Sequence, residues 1–127
     1  MTDKRQRIRP TDLPEGQITW SQPTNVTLDG GPTVPVHTWR GVLTYVAGEL
    51  IQRHPESLTK LERFRGKKGR LYVSSTQEAL RDPVRLATGV FIEGNLSAKS
   101  VVGLLHKLMQ ICGRSPEELR LETEPRT

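Results

Sequence analysis

A chain of 127 residues with 34% hydrophobic and 26% charged side chains predicts one soluble domain with a core of ordinary size. No apolar run approaches the roughly 20 residues that a bilayer-spanning helix needs, and the opening "MTDKRQRIRPTDLPEG" lacks the apolar segment of a signal peptide. A cytoplasmic location without membrane contact is therefore expected, and the single cysteine, Cys112, excludes an internal disulfide and a cysteine-built zinc site. The net charge of +5 permits nucleic acid or an acidic protein surface as partner.

Residues 1–16 are polar, charged and interrupted by two prolines, so a flexible N-terminal arm is expected there. "QITW" and "NVTLDGGPTVPV" then read as short strands. The second is a hairpin whose Asp29-Gly30-Gly31 supplies the positive φ of a tight turn, and Pro32 and Pro35 make its returning strand an edge. Thr38 is placed to cap a helix in which Trp39, Val42, Leu43, Val46 and Leu50 follow helical spacing, ending at His54-Pro55. Pro55 suits the first turn of a second short helix with Leu58, Leu61 and Phe64 inward. The basic segment "RFRGKKGR" leads into a strand, "LYVSS". Ser75 and Glu78 have capping-box spacing for one helical turn, and "VFIEG" is a further strand.

From Ser97, the residues Val101, Leu105, Leu108 and Cys112 form one apolar stripe flanked by Val102, Leu104 and Met109, and Gly113 is placed to end this strongest helix. Ser115-Pro116-Glu117-Glu118 starts one more turn, and "LRLE" reads as a short last strand. The fold class expected is α+β: a single domain over residues 17–122 with an N-terminal β-hairpin, two or three helices and short strands, of winged-helix kind, followed by a flexible tail at 123–127.

Enzymatic patterns are not apparent. The histidines His37, His54 and His106 show no second histidine or acidic residue at helical metal-binding spacing, and no HExxH, GxSxG, Walker lysine or GxGxxG motif occurs. Cys112 continues an apolar stripe and reads as a buried thiol. No catalysis, metal or cofactor is expected.

Charge is concentrated in the middle of the chain. Residues 1–16 hold four positive and three negative side chains and residues 117–127 two and four, leaving thirteen positive and seven negative between them. "KLERFRGKKGR" alone carries six positive residues against one glutamate. Glycines bracketing a lysine pair let a backbone approach closely, and the cationic side chains can neutralise phosphates and release their counterions. Arg63, Arg65, Lys67, Lys68 and Arg70 are accordingly the candidate nucleic-acid contacts, with Lys99 added from the helix that follows Ser97; Arg81, Arg85 and Lys107 are the candidates for extending the patch. A solvated cationic turn is the alternative reading of the same residues. With Tyr72 and Phe91 alone on expected strands, aromatics are too few for a stacking platform, which favours phosphate-directed recognition of duplex DNA over single-strand reading.

The turn in "VFIEGNLSAKSVV" has the strand, glycine turn and helix start on which backbone N–H groups can hold an anion, yet Glu93 beside it would repel one. A plain turn and cap is the simpler reading. The order of "TWRGVLTYVAGELI", "GRLYVSS" and "GVFIEGNLSAKSVVGLLHKLMQICGRSPEEL" also resembles a small uncharacterised bacterial domain, standalone or fused, that recurs in proteins of restriction-modification and phage-defence type. The resemblance spans about residues 36–121. It implies a non-catalytic accessory module in a nucleic-acid setting and carries over no functional residues. The other expectation is a protein-interaction subunit, suggested by the edge hairpin and the apolar width of the 98–112 helix.

Overall fold

The computed structural model describes Gln6–Ile8 and residues 21–125. The expected strand at "QITW", most of the expected N-terminal arm and the last two residues of the expected tail lie outside them. The fold is α+β, and the described residues form two small antiparallel sheets and three α-helices.

The first sheet has the order β1 (Gln6–Ile8), β7 (Leu119–Pro125), β2 (Ser21–Leu28) and β3 (Thr33–Pro35). The β2–β3 hairpin has the expected form: Val26 pairs with Val34 across a turn in which Asp29 and Gly30 have φ of 52° and 67°. Among the described residues β3, with Pro35 inside it and Pro32 just before it, pairs on one side only. β7 is longer and more central than "LRLE" suggests, because it pairs with both β1 and β2. Alternation along it puts Leu119, Leu121 and Thr123 inward, at 0–2% exposure, so residues 123–125 belong to the sheet. Gln6–Ile8, within the expected arm, likewise form a strand.

Helix α1 (Trp39–Arg53) starts where Thr38 Oγ1 accepts from the Gly41 N–H at 2.9 Å. It buries Trp39, Val42, Leu43, Val46 and Leu50, and the Trp39 indole N–H donates to the Ser21 carbonyl. A 3-10 turn at Pro55–Ser57 leads into α2 (Leu58–Arg63), where Leu61 is buried while Leu58 and Phe64 are half-buried against the core. Helix α3 (Ala98–Ile111) is capped by Ser97, whose Oγ accepts from the Ser100 N–H at 3.2 Å. It ends in a Schellman arrangement: Arg114 N–H donates to the Met109 carbonyl and Gly113 N–H to that of Gln110, with Gly113 at φ 71°. α1 and α3 pack on each other, and their apolar stripes join Val26, Leu28, Leu119 and Leu121 in one core.

The second sheet has the order β4 (Val73–Ser74), β6 (Phe91–Glu93) and β5 (Pro83–Arg85). β5 is not evident in the sequence, because it is three residues long and begins with a proline tolerated only at an edge. The Ser75–Glu78 capping box does not form. Ser75 instead donates through its N–H and hydroxyl to the Glu62 carboxylate, and a 3-10 turn at Gln77–Ala79 follows without a side-chain cap. The Glu62 acceptor comes from α2, which is why local spacing is misleading at this point.

Candidate nucleic-acid interface

The basic loop is a tight projection between α2 and β4. One isolated antiparallel bridge, Arg65–Leu71, closes it, in place of the paired strands of a wing. Gly66 N–H donates to the Arg70 carbonyl and Gly69 N–H to that of Gly66. Lys68 stands at the tip with φ 59° and ψ 27°, a left-handed conformation that lysine adopts at a cost, and Gly69 follows at φ 72°. Gly66 lies directly against Tyr72: a Cβ added there would come within 2.3–2.7 Å of the ring.

Two adjoining clefts connect this loop to the start of α3. The first, of about 550 Å³, is lined by Lys68, Arg70, Tyr72, Arg81, Glu93 and Ser100 among others. The second, of about 380 Å³, is lined by Phe64, Tyr72, Lys99, Ser100, Leu104 and Lys107 together with Gly66 and Gly103. Tyr72 and Ser100 line both clefts, so the basic loop and the helix start share one face. That face gathers Lys68, Arg81, Lys99 and Lys107, all exposed.

The remaining candidates divide. Arg63 is exposed at the end of α2. Arg65 is exposed but folds back, its Nη1 donating to the Glu62 carbonyl at 2.7 Å. Lys67 belongs to the same turn, and its side chain is outside the described set. Arg85 is exposed on β5 and lines neither cleft. Arg70 turns inward: its Nη2 donates to the Asn95 carbonyl at 2.9 Å, lies 3.6 Å from Glu93 Oε2, and its guanidinium sits 5.7 Å from the Tyr72 ring centre.

Glu93 resolves the strand-to-helix turn. Neighbouring residues on a strand face opposite ways, so Ile92 enters the core while Glu93 points to the other side of the second sheet, where it is 1% exposed. There its carboxylate accepts the backbone N–H groups of Arg81, Asp82 and Asn95 at 2.8–3.0 Å. Burial opposes ionisation, but those N–H donors and the Arg70 guanidinium outweigh it and hold the carboxyl below its ordinary range. The anion of this turn is the protein's own side chain. The sequence shows Glu93 only as a charge near the turn; the donors at 81 and 82 arrive from a separate loop.

Burial pushes the Cys112 thiol up, with Glu56 acting in the same direction and Ser57 opposing, and Cys112 is 7% exposed. Burial also lowers His106, whose Nε2 has no hydrogen-bond partner. His54 meets the exposed Glu56 at 3.4 Å. Among the described residues no group of three or more His, Cys, Asp or Glu side chains is placed to hold a metal ion, and no helix is long and apolar enough to cross a membrane. Comparison of the chain with family models, with curated proteins and with solved structures finds no match.

Proposed function

We propose that this protein is a non-catalytic nucleic-acid-binding accessory module that meets the phosphates of duplex DNA through one basic face. The observation that carries the reading is the pair of adjoining clefts sharing Tyr72 and Ser100, which unites Lys68 and Arg81 with Lys99 and Lys107. The exposed Arg63 and Arg65 extend the cationic surface beside that loop, and Lys67 adds its charge to the same turn of the sequence. Arg70 serves by holding the loop, since its guanidinium is engaged with Glu93 and Asn95.

Phosphate-directed binding releases counterions, so affinity falls as salt rises, and the slope shrinks by about one for each phosphate-contacting lysine removed. Anisotropy titration of a labelled duplex across a salt series tests this. Wild type shows a linear dependence of log affinity on log salt, and Lys67→Ala/Lys68→Ala lowers the slope. Salt-independent binding, no binding, or an unchanged slope in the double variant overturns the reading.

A protein-interaction subunit is the second reading, favoured by the edge of β3, which among the described residues pairs with β2 alone. The apolar width of α3 no longer speaks for it, because Val101, Leu104, Leu105, Leu108 and Met109 are all buried in the chain's own core. A stoichiometric protein complex that survives nuclease treatment would favour this second reading.

A further inference from the structure

The second cleft differs from the basic rim around it. Phe64, Tyr72 and Leu104 give it an apolar lining, and Lys99 and Lys107 flank it. These lysines stand four residues either side of Gly103, on one side of α3, and the helical rise separates them by about 12 Å along the axis. Gly103 is exposed in mid-helix, and a Cβ added there would meet no heavy atom within 4 Å. Glycine weakens a helix interior relative to alanine, and among the described residues nothing in the packing requires it at this position. Its effect is to leave the trough open down to the helix backbone.

The Phe64 and Tyr72 rings stack with centroids 6.0 Å apart and planes 27° from parallel. A base entering beside these rings finds apolar and aromatic contact, and the flanking ammonium groups complement the phosphates on either side of it. A perfect duplex, with every base paired and stacked, offers the trough no such group.

Granted the nucleic-acid reading above, we infer that the trough between the Phe64–Tyr72 pair and Gly103–Leu104 receives an unpaired base, with Lys99 and Lys107 on its flanking phosphates. The preferred substrate is then DNA carrying an unpaired nucleotide, not an uninterrupted duplex.

The test uses the full chain and two DNA probes of one sequence, a perfect duplex and the same duplex with one central unpaired 2-aminopurine. At equal salt the interrupted duplex binds about tenfold more tightly, the gain expected from one base on an aromatic contact, and the 2-aminopurine fluorescence is quenched. Gly103→Leu fills the trough from a position with open space around it and improves the helix, so it folds, as a thermal melt will verify. It erases the preference and the quench while keeping the salt slope. Equal affinity for the two probes with unquenched fluorescence overturns the inference and leaves the phosphate reading standing. Absence of salt-sensitive binding to either probe overturns both. Nucleic-acid-free binding of an acidic, leucine-containing peptide, lost in Gly103→Leu, assigns the trough to a protein partner and overturns the inference.

Discussion

The guanidinium of Arg70 lies 3.6 Å from Oε2 of Glu93, a carboxylate that is 1% exposed beneath the basic cleft. One residue belongs to the cationic loop and the other to the central strand of the second sheet, so this contact ties the candidate binding surface to the core. Three backbone N–H donors complete the carboxylate's surroundings. Removing the carboxylate charge leaves those donors and Arg70 poorly matched. Glu93→Gln is expected to destabilise the fold by about 2–4 kcal/mol and Arg70→Met by about 2 kcal/mol, read by urea denaturation. Arg70→Met is also expected to weaken DNA binding without changing its salt slope. A slope reduced by about one would make Arg70 a phosphate contact instead.

Lys68 separates stability from binding. Its φ of 59° is a left-handed backbone that glycine adopts without the Cβ conflict, so Lys68→Gly should raise stability by about 1 kcal/mol. The same change removes a cation from the face and should lower the salt slope by about one. Thermal melts and a salt titration on the same preparation give both numbers. A variant that gains stability and keeps its slope would remove Lys68 from the interface.

Acid should act in two stages. His106 has its pKa lowered by burial, so its contribution to stability is full above its ordinary 6.5 and is lost as pH falls from there toward the folded value. Glu93 also has a lowered pKa, so its contribution is full above its ordinary 4.5 and is lost as pH falls through the folded value beneath. Both signs make the protein less stable in acid: one decline begins below 6.5 and a second below 4.5. Denaturation at pH values above, between and below these two numbers checks the shape. His106→Gln should remove the first decline and keep the second.

β7 makes the C-terminal segment indispensable. It pairs with both β1 and β2 and carries Leu119 and Leu121, each 0% exposed. A chain ending at Glu118 loses two core side chains and the strand between its neighbours, which exceeds the roughly 5–15 kcal/mol that stabilises a domain. It should show no cooperative thermal transition. A cooperative melt from that truncated chain would mean that β7 is dispensable.

Local chemistry was legible in the sequence wherever a short stretch completes its own hydrogen bonds or periodicity. The Asp29-Gly30 turn, the Thr38 and Ser97 caps, the Gly113 helix end and the apolar stripes of α1 and α3 all follow from neighbours within a few residues, and so does the density of charge from Lys60 to Arg70. Tertiary structure decided what depends on residues distant in the chain. Glu62 displaced the expected Ser75–Glu78 capping box, β7 became the centre of a sheet, and Arg70 was drawn inward by Glu93 and Asn95. The basic loop and the start of α3 come onto one face, where Tyr72 and Ser100, some 28 residues apart in the chain, line the same two clefts. Side-chain spacing reports only which neighbours share a face of one helix or strand, whereas the partners of a buried charge and the outline of a cleft are set by how separate elements pack.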